Sequence, residues 1–422
     1  MGYKTISWAK NVPQRMKWIG ILRHFTFGYL LRLVFVVLEA TCRHRKKNVL
    51  LFVLPYEEYD ENTRYLYEYA VKHRDTDLEP VLFVYHEALY ARLRGRVAGR
   101  VVAARSKDGM SAFFASRIAF TSRGAMVNAF YPYVFVAPYK RFINLWHGIP
   151  LKRIGFLARN SWESLMRAEA QRYSAMTVCS APEQFTMALS NNMSLDDIWI
   201  TNTPRNDLLF HTRSAEVETA RRGVILYAPT YRDGQADTVL FPFADTDIDA
   251  LAELLRAHDF RLVVRRHVLE KHAASQIVSD VISYDDRDDV QGGLAGKLCA
   301  ADILVTDYSS IYLDYLALDR PIVFLPYDKQ AYEVKRGLMY DYDAVTPGIK
   351  AHTFAEFLTA LRTYMTDPRT DATARRDASR FFHAQQDGNA CQRVLTRAIE
   401  AYAGVRHAGQ PIATAGAQHD TY

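Results

Sequence analysis

The sequence predicts an α/β protein built from two doubly wound, largely parallel sheets. Three observations carry that expectation. Short apolar runs of strand length alternate with helical stretches from Asn48 onward, the pattern of βα units that lay helices on both faces of a sheet. The alternation stops in the charged stretch from Arg213 to Arg222 and resumes at Val224. The chain has 422 residues, 49% hydrophobic and 24% charged, enough for two domains that each bury a core.

The first predicted strand is Asn48–Leu54, ended by Pro55; Asn62 or Thr63 then opens a helix over Arg64–Lys72. Further strands are expected at Pro80–Tyr85, Val101–Ala104, Ile118–Thr121, Phe142–Trp146, Met176–Cys179 and Ile198–Thr201. In the second series the strands are Val224–Tyr227, Arg261–Val264, Ile303–Thr306 and Pro321–Leu325. Leu251, Leu254 and Leu255 share one face of a helix over Ile248–His258. Two such domains, 48–215 and 216–405, facing across a cleft make a GT-B-like architecture. After Thr353 the chain reads as helices, some able to pack back on the first domain, and 406–422 reads as a disordered tail. The run Gly292–Leu298 imitates a phosphate-binding loop. Its glycine spacing is too short and no Ser or Thr follows Lys297, so Leu294 and Leu298 read instead as one helix face.

Residues 1–47 read as an amphipathic helical segment. Phe25 to Leu38 is strongly apolar, but Arg32 interrupts it, and Leu33–Leu38 is far short of the ~20 residues that span a bilayer. Trp8, Lys10, Lys17, Trp18 and Arg23 precede it and Arg43–Lys47 follows, a flanking pattern suited to a helix lying in an anionic membrane interface. The alternative is a helix packed on its own domain with the basic cluster solvated. The net charge of +6 suits an anionic substrate or membrane surface. It is too weak and too spread out for nucleic acid, and no nucleic-acid-binding signature occurs. Cys42, Cys179, Cys299 and Cys391 are too widely spaced for a metal site or disulfide framework; buried thiols in a reducing cytoplasm are expected.

Five polar turns follow predicted strands: Trp146-His147-Gly148-Ile149-Pro150, Pro204-Arg205-Asn206-Asp207, Ala228-Pro229-Thr230-Tyr231-Arg232-Asp233, Arg265-Arg266-His267, and the segment Asp307–Asp314 with Ser309 and Ser310. Ligands of open parallel sheets bind outside the carboxyl ends of strands, so together the five suggest one anion-binding cleft. The two serines can cap the helix that follows, and a capped helix start is also an anion site. Each residue has a plain structural use as well. Gly148 and Pro150 can shape a turn, Arg205 can pair with Asp207, Arg265 with a surface carboxylate, and the serines can be simple caps.

As an ordered set these turns resemble the CDP-glycerol glycerophosphotransferase family, the teichoic acid primases and polymerases and related capsule polymerases. The resemblance continues through Asp319–Phe324, Tyr327-Asp328, Gly337 and Asp341-Tyr342, and runs from about Asn48 to about Gly348. It implies a GT-B fold, peripheral attachment at the cytoplasmic face of the cell membrane, and a CDP-alditol donor. The family's donor-site pattern falls on Trp146, His147, Gly148, Ile149, Pro150, Arg205, Pro229, Thr230, Arg265, Arg266, His267, Ser309, Ser310 and Asp314. Departures are Ile149 for a Thr, Arg266 for a Pro or Met, and Tyr231 for a Trp.

On this resemblance the first domain faces the acceptor and the second binds the donor. An acceptor hydroxyl attacks the β-phosphorus of CDP-glycerol and CMP leaves. His147 is expected to take the hydroxyl proton. His267 and Arg265 would hold the pyrophosphate, Arg205 would clamp the donor phosphate, Ser309 and Ser310 would bind phosphate, and Asp314 would reach a donor hydroxyl. No cofactor is called for. No metal cluster is readable; Asp307 and Asp314 could recruit Mg²⁺, but the basic residues can neutralise the charge alone. The expected partners are a CDP-alditol and a lipid-linked glycan or polymer acceptor. The alternatives are a CDP-ribitol donor, a nucleotide-sugar glycosyltransferase, and a catalytically silent membrane scaffold.

Overall fold

The computed structural model describes residues 34, 37, 38, 40, 41, 48–55, 57–59, 62–73, 78–122, 140–158, 173–214, 223–230, 240–265, 279–285 and 293–407. The membrane-interface segment expected at 1–47, the tail, and the site candidates Arg266 and His267 therefore lie largely or wholly outside the described residues. No described helix is long and apolar enough to cross a membrane.

The described strands form two all-parallel sheets. The first contains β1 (Val49–Leu54), β2 (Glu79–Val84), β3 (Arg100–Ala103), β4 (Ser116–Thr121), β5 (Arg141–Asn144), β6 (Ala175–Val178) and β7 (Ile198–Ile200), in the order β3-β2-β1-β4-β5-β6-β7. The second contains β8 (Gly223–Ala228), β9 (Phe260–Arg265), β10 (Ile282–Asp285), β11 (Ile303–Thr306), β12 (Ile322–Phe324) and β13 (Ile349–Lys350), in the order β10-β9-β8-β11-β12-β13. Both orders reverse direction once, between β1 and β4 and between β8 and β11. Those two reversals are the switch points where open α/β sheets take ligands.

Burial on both faces explains why the strands read as unbroken apolar runs. Along β1, Val49, Leu51 and Val53 enter one core while Leu50, Phe52 and Leu54 enter the other. In the second sheet Ile225, Tyr227, Ile303 and Val305 face one core, and Leu226, Ala228 and Leu304 the opposite one. Each fully buried side chain of this size contributes ~1.5–3 kcal/mol by leaving water.

The expected strands are present with small shifts. β5 stops at Asn144, not at Trp146, because Trp146 turns into the left-handed region at φ 54°. Two strands are additional to the expected set, the edge strands β10 and β13. Gly293–Ala300 is helical, as expected in place of a phosphate-binding loop. The helix Ile248–Ala257 is capped by Asp247, whose side chain accepts from Ala250 N. Cys179 and Cys391 are buried and Cys299 is half-buried, all three as free thiols.

The chain crosses back at its end. Helices Phe354–Thr366 and Ala372–Phe382 lead to a last helix, Ala390–His407, whose Cys391, Val394 and Ala398 pack with Leu50, Phe52 and Phe120 of the first unit. Asp207 fixes this return, accepting from the backbone N–H groups of Ala390 (2.7 Å) and Cys391 (2.8 Å). A second tie runs along backbones: Arg153 N donates to Gly337 O at 3.2 Å, and Met339 N to Leu151 O at 2.9 Å.

Candidate active site

The site is assembled from strand ends of both sheets. After β5, the chain turns sharply through Trp146 and Gly148, at φ 54° and φ 128°. Asn144 Oδ1 accepts from Trp146 N at 2.8 Å and tightens the turn. His147, between the two, is exposed, and its ring lies 4.3 Å from that of Trp146. Ile149 is fully buried in the core that joins the two units. Its side chain anchors the turn, which leaves only its backbone to meet a ligand. Pro150 is buried beside it.

Gly148 explains the next contact. A Cβ there would lie 2.5 Å from Arg205 Nη2 and 3.7 Å from Asp314 Oδ2. The bare glycine face lets Arg205 approach the His147 turn. Arg205 donates to Asp314 Oδ2 at 2.5 Å, and both residues are buried, at 6% and 2% exposure. Arg205 thus pairs with Asp314 of the second unit and not with its neighbour Asp207. Asp314 Oδ1 has no hydrogen-bond partner among the described residues.

In the second sheet the switch point is closed by one carboxylate. Asp307 Oδ1 accepts from Thr230 N (2.8 Å) and from Thr230 Oγ1 (2.5 Å). This joins the turn after β8 to the turn after β11. Both residues are buried, while Pro229 stays half-buried. Tyr342 donates its hydroxyl to Asp307 O at 2.8 Å, and Tyr308 stacks on Tyr332 with centroids 4.1 Å apart. These aromatic supports were not among the expected site residues, though Tyr308 and Tyr342 lie in the sequence resemblance.

The serine pair differs in part from expectation. Ser309 Oγ accepts from Ile311 N at 3.4 Å, whereas Ser310 makes no side-chain cap bond to the helix Ile311–Tyr315. Its backbone, at φ −68° and ψ −3°, is already helical, and a capping side chain needs an extended residue to swing back over the helix start. Both serines are half-buried at the carboxyl end of β11. Arg265 is half-buried at the end of β9.

Sequence reasoning missed two further groups. Asn62 links the His147 turn to Arg205 by three backbone hydrogen bonds. Glu183 lies fully buried in the first unit, accepting from Cys179 N at 2.6 Å. Burial raises its carboxyl to about 8, the charge of Asp314 adds to the rise, and the Cys179 hydrogen bonds oppose it. The Ser180–Glu183 spacing of a capping box was the available signal for Glu183.

Comparison with known proteins identifies the chain's relatives. The chain is 27% identical over 400 residues to a teichoic acid glycerol-phosphate transferase of Staphylococcus aureus, covering 86% of this chain and 95% of that protein. It is 29% identical over 180 residues to a teichoic acid glycerol-phosphate primase of Bacillus subtilis, covering 42% and 43%. The solved structure of the wall teichoic acid polymerase TagF superposes with a TM-score of 0.67 at 19% identity, covering 93% of this chain and 100% of that one. A UDP-N-acetylglucosamine 2-epimerase structure from Listeria monocytogenes shares the architecture more distantly, with a TM-score of 0.52 at 12% identity, covering 84% of this chain and 96% of that one. These superpositions establish the GT-B-like fold. The profile of the CDP-Glycerol:Poly(glycerophosphate) glycerophosphotransferase family matches residues 34–400, most of the chain, and the protein belongs to that family.

Proposed function

We propose that this protein transfers glycerol phosphate from CDP-glycerol to a hydroxyl of a cell-envelope polymer, releasing CMP. The observation that carries the reading is the family match across residues 34–400. The contact of the His147 turn, at Gly148, with Arg205 and Asp314 supports it, as does the Thr230–Asp307 bond that joins the turns after β8 and β11. In this reading the first unit faces the acceptor and the second takes the donor.

His147 accepts the proton of the attacking hydroxyl. A new O–P bond forms at the β-phosphorus, the bond to the bridging oxygen breaks, and CMP leaves with that electron pair. The exposure of His147 leaves its imidazole open to an incoming hydroxyl. Such transfers depend mostly on positioning and charge stabilisation. Arg265 supplies positive charge at the carboxyl end of β9, with Arg266 and His267 next to it in sequence, and Ser309 and Ser310 supply hydroxyls at the end of β11. The Arg205–Asp314 pair sits against the bare face of Gly148, between the two units. Peripheral attachment at the cytoplasmic face through residues 1–47 completes the reading. A chain beginning at Asn48 that still sediments with anionic liposomes would count against that attachment.

Relatives named as ribitol-phosphate polymerases match as well, one at 23% identity over 303 residues, so the alditol of the donor is tested directly. Purified protein offered CDP-glycerol, CDP-ribitol and a nucleotide-sugar separates the donors. CMP released fastest from CDP-glycerol supports the proposal. CMP from CDP-ribitol alone, or a nucleoside diphosphate from the sugar donor, replaces it.

A further inference from the structure

Asn62 opens the helix Asn62–Lys72 and is completely buried. Its carboxamide makes three hydrogen bonds, each to backbone. Nδ2 donates to the carbonyls of Leu145 (3.1 Å) and Trp146 (2.9 Å), and Oδ1 accepts from the N–H of Arg205 (3.0 Å). Both carboxamide N–H groups are therefore engaged. The two carbonyls belong to the turn after β5 and the N–H belongs to the turn after β7, so one side chain measures the spacing between them.

The Trp146 carbonyl is part of the peptide group that begins His147. Holding it fixes the plane from which the imidazole projects. That turn requires outside support, since a non-glycine residue such as Trp146 in the left-handed region is strained. The Arg205 N–H is equally placed, because its guanidinium crosses to Asp314 over the bare face of Gly148. The helix start is itself anchored: Thr63 N donates to Ser122 Oγ at 2.6 Å, and the two hydroxyls lie 2.6 Å apart. This second contact spans the β1/β4 switch point.

We propose that Asn62 is a positioning residue for glycerophosphate transfer, its carboxamide setting the His147 turn and the Arg205 turn in one fixed mutual geometry. The inference rests on the reading of His147 as the base. The carboxamide hydrogen-bonds only to backbone, so Asn62 acts through the two turns it holds, and through His147 for the proton transfer.

The test is a double-mutant cycle on the full-length chain, read as CMP release from CDP-glycerol with acceptor present. Asn62→Asp keeps the acceptor for Arg205 N–H but sets a carboxylate oxygen against two carbonyls. It should lower kcat on the order of 10²-fold, the penalty expected for a base displaced by about an ångström, with little change in KM for CDP-glycerol. In a His147→Ala background the same change should cost less than about threefold, since residues acting as a unit are not additive. Equal losses in both backgrounds, or a raised KM with kcat intact, overturn the inference. Full kcat in His147→Ala alone overturns the base reading and this inference with it, and that single variant identifies the case. Thermal unfolding checks that each variant folds. If Asn62→Asp does not, Asn62→Ser, whose hydroxyl still suits a helix start, takes its place in the cycle.

Discussion

Arg205 and Asp314 form a buried ion pair, Nη2 to Oδ2 at 2.5 Å, that joins the last turn of the first sheet to the helix after β11 in the second. The two residues lie 109 positions apart in sequence. With exposures of 6% and 2%, water screens the pair little. Removing one member of such a pair strands a buried charge. Arg205→Met should therefore destabilise the protein by about 3–5 kcal/mol, and Asp314→Asn by a comparable amount. The double variant should lose clearly less than the sum. Urea unfolding of all four forms provides the check, and additive losses would show that the pair is not coupled.

The Asp307–Thr230 contact makes a second prediction. Thr230→Val removes the Oγ1 bond but leaves the backbone bond to Asp307 Oδ1. It should destabilise by about 1–3 kcal/mol, the range for breaking a buried hydrogen bond to a charged group. Because the contact holds the turns after β8 and β11 together, affinity for CDP-glycerol should fall too. Calorimetric titration measures it, and unchanged affinity would remove Thr230 from the donor site.

Glu183 gives the stability a pH dependence. Burial holds its carboxyl at about 8, against 4.5 ordinarily. In the unfolded chain the proton leaves near the ordinary value; in the folded chain it stays until the raised one. Between those limits the folded state binds more protons, so this contribution is fully present below about pH 4.5 and is lost as pH rises toward 8. Glu183→Gln should gain on the wild type across that window, by at most ~5 kcal/mol at ~1.4 kcal/mol per pH unit. Unfolding curves at several pH values test it. A difference that does not grow with pH would mean Glu183 is ionised in the fold.

Much of this was legible in the sequence for a simple physical reason. A strand buried on both faces has no polar alternation, so β1, β4, β8 and β11 stand out as apolar runs, and the polar turns after them mark the carboxyl edge. The edge strands β10 and β13 escaped because they are short and mostly half-exposed. Arg205 stood out in its polar turn, yet its partner did not: Asp207 is nearer in sequence, but it is spent on the helix that returns from the second unit. Asn62 looked like a helix opener and nothing more. Its role depends on carbonyls more than 80 positions away, which no local pattern encodes. Ser309 accepts from the helix start, but the cap expected at Ser310 failed on its backbone conformation, a quantity that residue identity does not set.

The most direct test of the central claim is CMP release from CDP-glycerol by wild-type protein and by His147→Ala, with and without a lipid-linked glycan acceptor, alongside donor binding. The account predicts acceptor-dependent release by the wild type. It predicts a loss of roughly 10²–10⁴-fold in the variant, the usual contribution of a general base, with CDP-glycerol affinity largely retained. Equal loss of binding and turnover would contradict the role given to His147. No release from CDP-glycerol with any acceptor would contradict the glycerophosphate transfer itself.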